Sequence, residues 1–345
     1  MEYIISEVRP EDRRTMEKTD RLLAEEGIRR DANLDYTCAM FDEDYNVVGT
    51  GSCFSNTLRC FAVSRDHQGE GLMNQLVSHL MRVQLDRGIS HVFVYTKASA
   101  AVFFKDLGFS EIARTDNGIV FLENRRNGFS AYIDSINVQT GCQSAAVVMN
   151  ANPFTNGHLM LIEKAAESFE LVHVFVLSED VSFFPFEVRK LLVEKGTAHL
   201  KNVRVHDSGP YMISNATFPS YFLKDDHAVI EGHAKLDIAV FKRIAGALGI
   251  SARFAGEEPS SFVTGLYNRI MSEDLPKAGI EFFEIPRLEH NGRPVSAGLV
   301  RSLIHDGHIA DVRGLVPAST YEYLTSSQAV PVIERIKEAA DVLHY

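Results

Sequence analysis

The sequence predicts a two-domain α/β chain, with a mixed α+β unit over residues 1–135 and a doubly wound parallel sheet over residues 142–345. Three observations lead there. Residues 137–144, with Gln139-Thr140-Gly141, form a polar, turn-rich stretch between two apolar-patterned halves. In the second half, strand-like and helix-like segments alternate one by one, which is how parallel βα units read. That half also opens helices at two places on a small hydroxyl and a glycine, at Thr155-Asn156-Gly157-His158 and Ser296-Ala297-Gly298. A length of 345 residues is ample for two separate cores.

In the first unit, residues 37–41 and 47–54 alternate like paired strands across a 42–46 turn. Residues 58–63 follow as a third strand. Leu76, Leu80 and Val83 place a helix over 72–86. Then come a strand at 91–96, a helix at 98–107 and a strand at 120–123. Before the first helix stands Gln68-Gly69-Glu70-Gly71-Leu72-Met73. Its plainer reading is a strand–helix turn and nothing more.

This order resembles the fold of GNAT acetyltransferases. In that family a Q/R-x-x-G-x-G/A turn receives a pyrophosphate on backbone N–H groups. Gln68 and Gly71 fit, while Met73 stands where glycine or alanine is expected, so its side chain is expected to crowd the turn. Phe103–Phe109 resembles a second segment of the family, A-x-x-F-Y-x-x-x-G-F. The resemblance implies the fold, and it makes Gln68, Gly69 and Gly71 candidates for holding a CoA-like arm.

The second unit predicts strands at 145–149, 171–177, 203–208, 253–256 and 281–285, with helices at 158–168, 186–197 and 234–248. Ligands of such sheets bind beyond the carboxyl ends of the strands. Residues 150–158, 178–180, 256–258 and 295–301 are expected to converge there. The segment Asn152-Pro153-Phe154-Thr155-Asn156-Gly157-His158 follows the first strand directly. A helix start offers unpaired N–H groups and partial positive charge to phosphates. Gly157 would let backbone approach them closely, and His158 would stabilise charge on a reacting phosphorus. The plainer reading is a capped turn. At the second helix opening, Ser296 and Arg301 would grip the outer phosphates, Arg301 with a planar charged fork. An apolar, helix-like 303–309 follows, and 331–345 reads as an amphipathic packing helix.

Composition bounds the class. Apolar residues are 45% and charged residues 23%, as in a soluble globular protein. A net charge of −11 argues against nucleic acid held by phosphate neutralisation. Cys38, Cys53, Cys60 and Cys142 show no C-x-x-C spacing and read as reduced thiols. No signal peptide and no bilayer-spanning run is visible. The expectation is a cytoplasmic protein without a membrane partner. His227, Glu231 and His233 match no strong metal-site spacing, so no protein-held metal is expected.

Thr155–His158 resembles the T/H-x-G-H signature of the nucleotidyltransferase superfamily, and Val295–Arg301 resembles its I-S-S-T-x-x-R signature. Val, Ala and Gly replace Ile, Ser and Thr. The resemblance implies ATP as cosubstrate, with Mg²⁺ held mainly by its phosphates. It implies His158, Ser296 and Arg301 as the catalytic set, and Asn150, Ala151, Thr155, Gly157, Val295 and Gly298 along the nucleotide. Gly256 and Glu257 would meet the adenosine. Phosphopantetheine adenylyltransferases share the tail 315–324 but carry two lysines where Asp180 and Val181 stand here, which disfavours a phosphorylated acceptor. The whole order, with Thr217–Asp225 and 263–268, resembles the citrate lyase ligases. That family implies acetate activated as acetyl-adenylate, then transferred to a thiol on the acyl carrier subunit of citrate lyase. Lys224, at the end of an apolar run, is a possible substrate contact beside its plainer reading as a surface lysine. Other readings are an adenylyltransferase releasing a dinucleotide, an acetyltransferase with a nucleotide-sensing domain, and a non-catalytic binding protein.

Overall fold

The computed structural model describes residues 3–136, 141–212, 218, 226–257 and 262–342. The chain divides into two compact units. One comprises Met1–Ala131 with Thr217–Ala239, the other Tyr132–Ala216 with Val240–Tyr345.

The first unit starts with strand β1 (Ile4–Glu7) and helix α1 (Arg13–Glu25), capped where Asp12 accepts from the Thr15 N–H. Strands β2 (Tyr36–Phe41), β3 (Val47–Phe54) and β4 (Thr57–Val63) follow as an antiparallel meander. Next come α2 (Leu72–Asp86), β5 (Phe93–Lys97), α3 (Ala98–Asp106), β6 (Ser110–Arg114) and β7 (Ile119–Glu123). The sheet order is β1-β2-β3-β4-β5-β7-β6. Only β4 and β5 run parallel, and their pairing stops after Thr57–Phe93 and Leu58–Val94. Leu72, Leu76, Val77 and Leu80 of α2 pack into the sheet core with Met40, Phe61 and Val94. Cys38, Cys53 and Cys60 are buried here, and burial pushes each thiol up to about 12.

The second unit follows α4 (Gly128–Ser135). Its sheet is wholly parallel, built from β8 (Ser144–Met149), β9 (Leu171–Val176), β10 (Val203–Asp207), β11 (Ile250–Gly256) and β12 (Glu281–Ile285). The order β10-β9-β8-β11-β12 reverses direction between β8 and β11. Parallel strands covered on both faces read as unbroken apolar runs, which is why Ala145–Met149 carries no alternation. Helices α5 (Asn156–Ser168) and α6 (Phe186–Thr197) bury Leu161, Ile162, Leu192 and Val193 against Val147, Val172 and Val174. Helix α7 (Asp226–Leu248) belongs to the first unit up to Ala239 and to the second from Val240. Helices α8 (Phe262–Asp274), α9 (Ala297–His305), α10 (Ala318–Leu324) and α11 (Val330–Glu338) complete the second unit, with a short hairpin, β13 (Glu289–His290) and β14 (Arg293–Pro294), before α9.

Several expected boundaries move. The helix expected to open at Ser296 does so, with Ser296 accepting from the Leu299 N–H, but it ends at His305 instead of running through 303–309, and a 3-10 turn takes 309–314. Helix α7 starts eight residues before 234. Helix α11 ends at Glu338, short of the expected 345. Strands β1 and β6 and helices α1, α8 and α10 were not anticipated. Strands β1 and β6 are short and α1 has few apolar positions, whereas α8 carries Val263, Leu266, Tyr267, Ile270 and Met271 at a helical spacing that was legible in the sequence. Among the described residues, no helix is long and apolar enough to cross a membrane.

Candidate functional site

The carboxyl ends of β8, β9, β11 and β12 lie on one edge of the parallel sheet, and the strand order reverses between β8 and β11, the place where sheets of this kind bind ligands. The turn after β8 is held unusually firmly. Ala151 adopts a left-handed φ of 52° and Asn152–Pro153 is cis. Asn152 is 2% exposed, and its Oδ1 accepts from the Phe184 N–H. The Asn156 N–H and side-chain amide donate to Leu315 O and Gly314 O, while Thr320 Oγ1 donates to Phe154 O. The segment after α9 thus braces the loop from below.

Helix α5 begins with a reciprocal cap. Thr155 Oγ1 accepts from the His158 N–H, and the Thr155 N–H donates to His158 Nδ1 at 3.1 Å. A backbone N–H can only donate, so Nδ1 keeps its lone pair and the neutral ring carries its proton on Nε2. The ring lies nearly parallel to Phe154, with centroids 6.0 Å apart. Desolvation lowers the His158 pKa from 6.5 to about 4, and the nearby Arg287 charge adds to this. The half-buried imidazole is therefore neutral at pH 7 and presents one N–H donor from its far side.

Gly157 is where the two sequence motifs meet. A Cβ built there would stand 3.4 Å from Val295 O and 4.0 Å from a Val295 methyl. A side-chain methyl would make ordinary contact there, so α5 starts beside the chain leading into α9 without the packing itself demanding glycine. Val295 is buried, with its N–H donating to Leu288 O. Ser296 and Gly298 are half-buried at the α9 start; the Ser296 oxygen accepts the capping bond, which leaves its O–H free to donate.

Arg301 does not stand open at the helix start. It is 3% exposed, its Nε donates to Val342 O at 2.6 Å, and its NH1 donates to Asn152 O at 2.5 Å. Burial lowers its pKa to about 10, and the Asp341 charge partly offsets this. Position 301 falls on the inner face of α9 between Val300 and Ile304, which the spacing of the motif did not reveal.

At the far strands, Gly256 and Glu257 are exposed at the end of β11. The Glu257 N–H donates to Ile285 O, and Arg287 Nε donates to Glu257 O. Asn268 Nδ2 donates to Gly256 O and to Glu284 Oε1. On the β9 side, Asp180 Oδ1 accepts from the Phe186 N–H at the start of α6. Lys224 lies outside the described residues, as do most of Thr217–Asp225 and Glu258. Arg287, Arg189 and Asn152 were not anticipated. The signal available for Arg287 was its place just past a strand end, and for Arg189 the F-x-x-E-x-R segment.

In the first unit, Gln68, Gly69 and Gly71 form an exposed turn, with φ of 89° and 75° at the glycines. No side chain caps α2, and a Cβ on either glycine would meet nothing within 4 Å. Met73 does not crowd this turn as expected. It sits on the half-buried face of α2 and packs on the core, one position past Leu72.

The family model of the citrate lyase ligase C-terminal domain matches residues 144–324, and that of the GNAT acetyltransferase domain matches residues 35–111. The chain is 37% identical to the [citrate [pro-3S]-lyase] ligase of Klebsiella pneumoniae, covering 91% of this chain and 93% of that protein. This chain belongs to the citrate lyase ligase family. It is also 36% identical to the ligase of Escherichia coli, over 85% of this chain and 87% of that protein. A phosphopantetheine adenylyltransferase of Streptococcus pneumoniae is 28% identical over 51% of this chain and 91% of its own. The family assignment agrees with the two fold types: a GNAT-like α+β unit, and a parallel nucleotidyltransferase-like unit carrying both signature turns.

Proposed function

We propose that the chain is an ATP-dependent ligase that adenylates acetate and passes the acetyl group to the thiol of the citrate lyase acyl carrier, thereby activating citrate lyase. The observation that carries this reading is the neutral His158 at the capped start of α5, beside the start of α9 where Gly157 lies against Val295. ATP would supply the electrophilic α-phosphorus and pyrophosphate as leaving group, with Mg²⁺ held mainly by its phosphates and water.

The site needs no general base, because acetate is ionised at neutral pH. A carboxylate oxygen attacks the α-phosphorus and the bond to pyrophosphate breaks. The carrier thiolate then attacks the acyl carbon and AMP leaves. His158 contributes one preoriented Nε2–H donor to oxygen charge developing at the α-phosphorus. Its low pKa keeps it a hydrogen-bond donor and not a cation. Unpaired N–H groups at the starts of α5 and α9 face the phosphates, as helix N-termini do. Ser296 works through the α9 cap. Arg301, whose Nε and NH1 donate to the carbonyls of Val342 and Asn152, holds the Asn152 turn in shape and adds charge from beneath. Asn150, Ala151, Thr155 and Gly298 line the nucleotide, and Gly256 and Glu257 meet its adenosine end. The Gln68–Gly71 turn of the first unit is assigned the CoA-like arm of the carrier.

The direct test is acetate-dependent ATP–pyrophosphate exchange by the purified chain with Mg²⁺. Exchange that requires acetate and disappears in His158→Ala supports carboxylate adenylation. ATP binding without exchange, together with a stable dinucleotide product from a phosphorylated acceptor, would sink it.

A further inference from the structure

Among the buried ionisable groups, Arg189 has the least ordinary surroundings. It lies on α6 and is 0% exposed, yet no carboxylate forms an ion pair with it among the described residues. Burial works against its charge, which Asp180 and Glu179 partly offset from a distance. Its partners are oxygens from three separate segments. NH1 donates to Asn150 O at 2.9 Å, Asn150 Oδ1 at 2.8 Å and Leu177 O at 2.7 Å. NH2 donates to Glu179 O at 2.6 Å, and Nε to Phe184 O at 2.9 Å.

A buried charge is costly unless its hydrogen bonds are satisfied. If this position only filled space, an apolar side chain would serve, as Leu192 and Val193 do on the same helix. The planar fork does something they cannot, because it gathers the ends of β8 and β9 and the turn before α6 onto one rigid group. It also sets the Asn150 amide. A guanidinium only donates, so Asn150 must turn Oδ1 toward it. Nδ2 then faces Ser182 Oγ at 3.0 Å. The next residue, Ala151, begins the left-handed turn that leads to Thr155 and His158.

We propose that Arg189 is a positioning residue of the site, which locks the orientation of Asn150 and the 177–184 segment so that the nucleotide meets a preset crevice. This rests on the nucleotide-binding reading above. Arg189 touches no reacting atom and acts through Asn150.

The test is a double-mutant cycle on the full chain with R189K, N150A and the pair. It reads ATP affinity by titration calorimetry, exchange kinetics, and thermal unfolding as the control. Lysine keeps the charge but cannot span three segments. R189K is expected to lower kcat/KM for ATP by about 10²-fold, the scale of a small misplacement in a site. In the N150A background the same change is expected to cost less than about threefold, because the group it orients is already gone. Losses that simply multiply, or a folded R189K that exchanges like the parent, would overturn the proposal. If R189K melts below the assay temperature, R189M replaces it in the same cycle, since it fills similar space without a donor for Asn150 Oδ1. A parent chain that binds ATP without exchange removes the adenylation reading, while the cycle is still read from ATP affinities. A parent chain that binds no ATP overturns both.

Discussion

Helices α2 and α5 both start after a strand on a turn that contains glycine, yet they are finished differently. At α2 the turn is bare: Gly69 and Gly71 take positive φ, nothing stands near their Cα atoms, and no side chain caps the helix. At α5 the start is braced by side chains. Thr155 and His158 cap each other, Gly157 lies beside Val295, and the loop before it is tied to the chain after α9. Both starts present backbone N–H groups, so both can meet an anion. Only α5 adds a side chain with a defined proton and a shifted pKa. The difference separates a turn that can hold a ligand by shape from one equipped to act on it.

The strongest way to break this contrast is His158→Ala, expected to lower the exchange rate on the order of 10²–10³-fold, as removal of a preorganised donor does. Unfolding temperature should change little. A loss under threefold would place the two starts in one class.

Acid should act on the second unit next. His158, His173 and His206 all sit near 4 against an ordinary 6.5, mainly through burial, and His173 and His206 share a 3.0 Å hydrogen bond. Folded-state values below the unfolded ones mean the unfolded chain binds more protons between pH 6.5 and 4. Stability is therefore full above about 6.5 and falls as pH drops toward 4. Urea unfolding at pH 7.5 and pH 5 checks this, and His206→Asn should flatten the dependence. A chain more stable at pH 5 would contradict the assignment of neutral, buried rings.

Thr155→Ala removes a cap and one of the contacts to His158 Nδ1. It should cost about 1 kcal/mol in stability, and exchange should fall by more than that cap loss explains. Equal stability and rate would show that His158 is oriented by the Thr155 backbone alone. The smallest effect belongs to the bare turn. Gly71→Ala has space but a left-handed φ, so it should destabilise by about 1 kcal/mol and leave ATP–pyrophosphate exchange untouched. A change in exchange would tie the α2 turn to the adenylation step and remove the distinction.

Much of this architecture was legible because parallel strands and glycine-bearing helix starts leave local marks. Ala145–Met149 is apolar without alternation, and Thr155–His158 follows it at once, so strand, turn and helix lie within one short window. Helix α8 was legible though not anticipated, since Val263, Leu266, Tyr267, Ile270 and Met271 recur at helical spacing, whereas strand β1 is four residues long, largely exposed and paired with β2 from further along the chain. Ser296 was legible as the opening of a helix, and its hydroxyl proved to be the cap itself. Arg301 shows the limit. Its spacing from Ser296 is a sequence fact, but whether it faces solvent or the Asn152 carbonyl depends on how α9 is rotated against α11 and the 309–314 turn and on where residue 342 lies.

The sequence by itself determined the two fold types, the strand–turn–helix units and the residue types gathered at the sheet edge, because each is written in a contiguous run of periodicity and turn chemistry. Tertiary structure alone decided that Gly157 lies against Val295, that the Arg287 charge reaches His158, that His158 carries its proton on Nε2 and that Arg189 binds three segments at once. The first two join residues more than a hundred positions apart. The proton follows from which hydrogen-bond partner reaches which ring nitrogen, and the Arg189 contacts follow from burial that no local pattern encodes.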